Sequence, residues 1–184
     1  MSVTTKKALA MSLKSLLEKK TLDKITVKDI VSGCSLNRQT FYYHFHDTYD
    51  LLQWLYTYET GTIIEKMRDP ANESDEYALI LQHIMDNKSF IINTCRSLKR
   101  DYLIVKLKDC IKPVIAEIVN NNNSKASISQ KDADMISDLF SNALIGLVLD
   151  WVNSDLSEDY PPHFKKYIDI LLDYLHRLNT ASDD

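Results

Sequence analysis

Chain breakers are scarce in this sequence. Its 184 residues hold 3 glycines and 4 prolines, too few to punctuate many short strands, so long helices are favoured. Cysteine is as sparse. Cys34, Cys95 and Cys110 are scattered, with no Cys-x-x-Cys pair, which argues against a zinc site or a disulfide framework and fits a reducing cytoplasm. Long apolar runs are missing too: the longest, Ala143 to Leu149, is far short of a membrane span. Lys6, Lys7 and Lys14 interrupt the start where a signal peptide needs an apolar core. No Gly-rich phosphate loop, nucleophile elbow or His-Glu-x-x-His pattern is present. His44 and His46 diverge on a helix, and His83, His163 and His176 stand apart. Neither a metal site, a cofactor nor an enzyme is expected.

There is also no overall excess of positive charge; the net is −4. The charge is unevenly spread, however. Residues 1–50 carry eight Lys/Arg (Lys6, Lys7, Lys14, Lys19, Lys20, Lys24, Lys28, Arg38) against five acids (Glu18, Asp23, Asp29, Asp47, Asp50). That leaves a mildly basic head on an acidic body, the polarity that DNA contact by one end requires. Hydrophobic residues make up 45% and charged residues 26% of the chain, as in an ordinary globular protein with a packed core.

What is present is helical periodicity. Leu9, Leu13, Leu16 and Leu17 fall on one face of a helix over 5–19, and Thr21-Leu22-Asp23-Lys24 breaks it. Thr26 and Asp29 have capping-box spacing before a short helix over 27–32. Gly33-Cys34-Ser35-Leu36 is a tight connector, and Asn37 caps a helix running to about His44. Three short helices with a brief turn between the last two make a helix-turn-helix unit. Further helices are expected over 48–67, 75–87, 90–98, 102–120 (bent or divided by Pro113), 130–153 (capped by Ser129) and 163–178 (started by Pro162). The fold class is therefore all-α: a three-helix DNA-binding head over 1–48 and a larger helical regulatory and dimerisation domain over 49–184. Ala143 to Leu149 is apolar all round and needs cover on every side. Phe164, Tyr167, Ile168, Leu171, Leu175 and Leu178 form a stripe on the last helix. The last two helices are expected to build half of a four-helix bundle that a second copy completes.

The helix over 37–44 carries the chemistry. Phe41 and Phe45 are four apart and, with Leu36, turn inward. Arg38 and Tyr42 share an outer face with Gln39, Tyr43 and His46 beside them. Arginine pairs bidentately with guanine and glutamine with adenine in the major groove, and the first residues of such a helix sit deepest. Arg38 and Gln39 are the candidates for base contacts. Thr26, Lys28, Asn37, Thr40, Tyr42, Tyr43, His44 and Thr48 are the candidates for backbone contacts, which position without specifying.

The run Ile30-Val31-x-x-Cys34-Ser35-Leu36-Asn37-Arg38-Gln39-Thr40-Phe41-Tyr42-Tyr43-His44-Phe45, with Asp47 and Leu51 after it, strongly resembles the DNA-binding region of TetR-family regulators. The family pattern is roughly Ile-Ala-x-x-Ala-Gly-Val-Ser-x-Gly-Thr-x-Tyr-x-His-Phe, and the match covers about the first fifty residues. The form Asn-Arg-Gln-Thr-Phe-Tyr-Tyr-His-Phe looks like the subgroup that regulates dihydroxyacetone kinase operons. The resemblance implies a cytoplasmic, sequence-specific regulator of double-stranded operator DNA, with no membrane association. It further implies an Ω-shaped homodimer whose C-terminal domain senses a small-molecule effector or a protein co-regulator. Three positions depart from the pattern. Ser35 stands where the family has a turn glycine, so a positive φ there costs about 1 kcal/mol. Gln39 replaces a glycine inside the recognition helix and adds a base-reading side chain. Thr48 replaces a frequent lysine, leaving a phosphate contact to be lost or taken over by the amino end of the fourth helix. Trp54, Tyr58, His83, Phe90, Cys95, Tyr102 and Trp151 are candidates to line an effector cavity, each also readable as core packing. The rival to a DNA reader is a helical sensor or adaptor whose head no longer binds DNA.

Overall fold

The computed structural model describes residues 2–69, 76–97, 100–122, 128–154 and 161–181. Every regular element among them is helical. In order they are α1 (Ser2–Leu17), a 3-10 turn (Leu22–Lys24), α2 (Val27–Gly33), α3 (Arg38–His44), α4 (Thr48–Arg68), α5 (Glu76–Asp86), α6 (Lys88–Cys95), α7 (Arg100–Asn122), α8 (Gln130–Asn153) and α9 (Pro161–Ala181). The all-α expectation holds. The boundaries shift where long-range contacts act. α1 stops at Leu17, two residues early, and the break after it contains the 3-10 turn. α6 ends at Cys95, and residue 98 lies outside the described residues. α7 passes through Pro113 undivided. Pro113 and Asp109, whose carbonyl loses its amide partner there, are both exposed, so solvent can take the lost bond.

The chain forms two compact units, residues 1–59 with 86–107, and residues 60–85 with 108–184. In the first, Leu9, Leu13 and Leu17 line the inner face of α1 and are fully buried, together with Ile30, Phe41, Leu51 and Leu55. Each such side chain contributes about 1.5–3 kcal/mol over its exposed state. α6 belongs to this unit. Its Phe90 is buried against Tyr56 of α4, ring centroids 4.9 Å apart. The Lys14 ammonium lies 2.9 Å from Glu59 Oε1 with both side chains mostly buried, and it also stands over the Phe90 ring. Asn93 and Ser97 reach from α6 and its end to the stretch after α1. Asn93 Nδ2 donates to the Leu17 carbonyl at 2.7 Å, and the Leu22 N–H donates to Ser97 Oγ at 3.0 Å.

The turn from α2 to α3 follows from three residues. Gly33 is the last helical residue of α2 rather than part of the connector. A Cβ there would stand 2.3 Å from Ser12 Oγ, a buried hydroxyl that donates to the Ile30 carbonyl at 2.7 Å. With Ser12 in this rotamer, glycine is what fits at position 33. Ser35 then adopts φ 57, the left-handed conformation, and the Leu36 N–H returns to the Val31 carbonyl at 2.9 Å. That six-to-one bond is the signature of a Schellman C-cap. The glycine-like geometry expected at Ser35 is thus present, on a residue that has a Cβ.

In the second unit, α8 opens on Ser129, whose hydroxyl accepts from the Asp132 N–H. Its Ser137 and Ser141 are buried and return their hydroxyls to carbonyls one turn back, at 2.7 and 2.6 Å. Trp151 packs edge-on to Phe164 of α9, and the Tyr167 hydroxyl donates to the Phe140 carbonyl. Burial drives the Tyr167 phenol far above its ordinary range. Arg68 clamps Glu117 with two bonds of 2.8 and 2.7 Å. The stripe on α9, expected to help build half of a bundle that a second copy completes, packs inside the unit: Phe164, Tyr167, Ile168, Leu171 and Leu175 are all buried. The apolar side chains left exposed lie on other faces, Met135 and Leu139 on α8, Ile170 and Tyr174 on α9. α8 is long and apolar enough to span a membrane by length and composition alone, but nine of its residues are buried in the unit.

Candidate nucleic-acid interface

The first unit presents α3 as a short helix pinned from below and open above. Asn37 starts it: its amide oxygen accepts the Thr40 N–H at 2.8 Å and the Thr40 hydroxyl at 3.1 Å. Phe41 and Phe45 are buried, their rings 6.0 Å apart, and hold the helix down. On the opposite side Arg38 and Gln39 occupy the first turn, exposed, with no hydrogen bond to another described residue. Tyr42 is 60% and Tyr43 83% exposed, far more than tyrosines with a packing role. Tyr42 is braced edge-on against Phe41, and Tyr43 against His44. A guanidinium, an amide and two phenols thus project from one short, rigid helix. His46, placed with this face in the sequence, lies beyond the end of α3.

The neighbouring elements extend the donor surface. The capping box of α2 is formed in both directions, Asp29 N–H to Thr26 Oγ1 at 3.2 Å and Thr26 N–H to Asp29 Oδ2 at 3.0 Å. Lys20 adds an ion pair at 3.1 Å. The Thr26 amide, the Lys20 ammonium and the Thr26 hydroxyl hold the Asp29 carboxyl down at about 2. Thr26 and Lys28 are exposed at this helix start. Two of the expected backbone contacts are already committed within the chain. Thr40 gives its hydroxyl hydrogen to Asn37, leaving the Asn37 amide nitrogen as the donor of that pair. Thr48 is the half-buried first residue of α4, and the cap is Asp47, whose Oδ1 accepts the Tyr49 and Asp50 N–H groups at 2.8 and 2.9 Å. Asp50 accepts the His46 N–H in turn. The amino end of α4, expected to grip phosphate, is occupied by two carboxylates of its own. Lys6 and Lys7 were not among the expected contacts. Lys6 stands 5.5 Å from the Phe45 ring centre and Lys7 5.2 Å from that of Tyr58, a cation–aromatic arrangement that long-range packing creates.

The seven residues considered for an effector cavity are divided between the two units. Trp54 stacks on Tyr58 at 5.5 Å and edges Phe45 at 6.2 Å, in the first unit. Phe90 and Cys95 are buried in the same unit, on α6. His83 and Trp151 belong to the second unit, Trp151 wholly buried against Phe164. Tyr102 lies on α7. Among the described residues no group of His, Cys, Asp and Glu is arranged to hold a metal ion.

A short exposed helix, capped and pinned behind a Schellman turn, among described elements that are all helical, defines a class. The family model described as "Transcriptional regulator C-terminal region", of the TetR type, matches residues 72–174, more than half of the sequence. The chain belongs to the TetR family of transcriptional regulators. Among curated relatives it is 29% identical over 89 residues to the HTH-type dhaKLM operon transcriptional activator DhaS of Lactococcus lactis subsp. lactis (strain IL1403). That alignment spans 48% of this chain and 48% of the relative, about half of each. Among solved structures, a dihydroxyacetone kinase operon activator DhaS superposes with TM-score 0.62 at 19% identity, covering 95% of this chain and 98% of that one. The fatty acid degradation regulator FadR from Bacillus halodurans gives 0.64 at 16%, covering 91% and 94%. A TetR-family regulator from Syntrophomonas wolfei str. Goettingen gives 0.65 at 15%, covering 98% and 97%. At these identities the structures share the fold.

Proposed function

We propose that this regulator reads double-stranded operator DNA through α3, with residues 1–48 as the DNA-binding region and 49–184 as the regulatory and dimerisation region. The observation that carries the reading is the pair of exposed side chains in the first turn of α3, Arg38 and Gln39, with no side-chain partner among the described residues, above a buried Phe41. These two side chains take the base edges. Thr26, Lys28, Asn37, Tyr42, Tyr43 and His44 take the phosphates. Thr40 and Thr48 were in that set; Thr40 serves it through Asn37, and Thr48 beside Asp47 is its weakest member.

The chain acts as a homodimer through α8 and α9, because operator half-sites related by two-fold symmetry need two heads. The surface for this is Met135, Leu139, Ile170 and Tyr174. Its setting is the cytoplasm, its role is regulatory and not enzymatic, and a small-molecule effector or protein co-regulator acts on its C-terminal region. The relative named as a dhaKLM operon activator supports genes of dihydroxyacetone use as targets.

A footprint of the purified protein on its own upstream region, with affinity measured across a salt series, tests this. Two symmetric protected half-sites and a steep fall of affinity with salt are expected. Arg38→Ala should lose about 1–3 kcal/mol of base discrimination. Binding that ignores salt, or an Arg38→Ala footprint identical to that of the unaltered chain, sinks the reading and leaves the helical adaptor.

A further inference from the structure

We propose that α6 caps the DNA-reading unit in trans, and that Asn93 and Ser97 are positioning residues for DNA binding; the proposal rests on the DNA-binding reading above. Two helix ends meet between Leu17 and Leu22. α1 finishes at Leu17, and the last carbonyls of a helix have no amide of their own. The Glu18 N–H returns to Lys14, and those of Lys19 and Lys20 return to Leu16. The Leu17 carbonyl takes Asn93 Nδ2 instead, at 2.7 Å. The 3-10 turn opens behind Thr21, a residue type that ordinarily supplies the capping oxygen, yet Thr21 makes no such bond. The Leu22 N–H is served by Ser97 Oγ, 75 positions away and at 3.0 Å. Ser97 passes its own hydroxyl hydrogen to the Asn93 carbonyl at 2.9 Å. One end of α6 therefore closes a helix C-terminus and a helix N-terminus together.

The site is buried, which fixes its geometry. Leu17, Leu22 and Ser97 are all buried. A buried amide or carbonyl deprived of its partner must find another or open to water. The clamped stretch leads straight to the reading surface. Lys20, inside it, ion-pairs with Asp29, and Asp29 is half of the capping box that opens α2. Releasing residues 17–22 loosens Lys20, then the α2 start with Thr26 and Lys28, then the Schellman turn that aims α3. Asn93 and Ser97 touch no DNA in this scheme. They reduce the number of poses the head explores before it binds, which raises affinity without adding a contact.

The test uses the full chain, with Asn93→Ala, Ser97→Ala and the double variant, on the footprinted fragment. The double variant should bind about tenfold more weakly. Its salt slope should match that of the unaltered chain, because the phosphate contacts in the bound pose are the same. Hydrogen exchange at the Leu22 amide should quicken about tenfold while amides of α8 and α9 keep their rates. Ser97→Thr, which retains the hydroxyl, should preserve both affinity and Leu22 protection. Unchanged affinity in the double variant overturns the positioning role, and unchanged Leu22 exchange overturns the capping. If the unaltered chain shows no salt-dependent DNA binding, the functional reading fails instead, and Leu22 exchange alone sustains or overturns the capping in trans.

Discussion

The two compact units are built from the same kind of element and are fastened in different ways. The first unit uses short helices, α2 and α3 with 7 residues each, which cannot hold themselves by propagation alone. It fastens them with side chains at their amino ends, Thr26 with Asp29 and Asn37, and closes α4, the end of α1 and the 3-10 turn with Asp47, Asn93 and Ser97. What it leaves exposed is rich in donors. The second unit has α8 and α9, of 24 and 21 residues, and holds them by burying apolar rings between them. Among what it leaves exposed are large apolar side chains on these two helices: Met135 at 60%, Leu139 at 63% and Ile170 at 53% exposure. Donor-rich surface suits a polyanion; apolar surface on long helices suits another helix pair. The difference teaches that fastening in this chain differs by unit, polar capping below the exposed face of α3 and apolar packing between α8 and α9.

The largest test of that contrast is on the second unit. Leu139→Asp changes a side chain that is 63% exposed, so the monomer should fold as before. In a two-fold interface the charge appears twice and must be desolvated. The dimer should weaken by about 2.7 kcal/mol or more, on the order of a hundredfold in Kd. Sedimentation equilibrium reads this directly, and an unchanged association constant removes this face from the interface. Next in size is Gly33→Ala in the first unit. The new methyl falls on Ser12 Oγ, so the serine must rotate and abandon the Ile30 carbonyl. A loss of about 1–3 kcal/mol in urea unfolding is expected. Ser12→Ala in the same chain removes the colliding oxygen and should recover stability relative to Gly33→Ala alone; no recovery would show that the close approach of α1 and α2 is not what requires glycine.

Which of these features the sequence revealed depends on their range. The caps at Thr26, Asn37 and Ser129 were legible because a cap is an interaction over three residues, and spacing alone encodes it. The helices were legible because burial repeats with their period. Arg38 and Gln39 were legible as the outward side of Phe41. Ser35 was legible only against the family pattern, where a glycine marks the turn. The long-range features were not. Nothing near Leu22 announces Ser97, nothing near Leu17 announces Asn93, and Gly33 reads as a loop residue until Ser12 is brought beside it. The same limit applies to unit membership: aromatic content does not say which unit a ring joins, and Trp54 and Trp151 join different ones. It also explains the last helix, whose apolar stripe was legible from its period while the elements it packs on were not.

A smaller effect sharpens the first unit's reliance on backbone geometry. Ser35 is the one described non-glycine residue with positive φ, and its Schellman turn aims α3. Ser35→Gly removes the Cβ conflict of the left-handed conformation but frees the unfolded chain. The first effect is the larger, so a net gain of about 0.5–1 kcal/mol is expected. Thermal unfolding detects it, and a loss of stability would mean that Ser35 contributes a contact that offsets its strain. Recognition should be unaltered, because Gln39, Arg38 and their cap at Asn37 are untouched.

The smallest effect concerns the capping box, and it is resolved by pH more than by size. Asp29 in the folded chain sits at about 2, below its ordinary 3.8. Its folded pKa is depressed, so its contribution is fully present above about pH 4 and is lost as pH falls towards 2. The leading causes are the Thr26 amide and Lys20, both at an exposed helix start, where solvent and salt weaken the pair. Asp29→Asn keeps an oxygen for the Thr26 amide but drops the charge. Its melting temperature should therefore vary less between pH 4 and 2 than that of the unaltered chain, with the difference shrinking at high salt. A carboxyl titration by NMR gives the same answer from the other side: an Asp29 midpoint near its ordinary value would mean that the first unit fastens α2 without this charge, and the contrast between polar fastening and apolar packing would lose its clearest member.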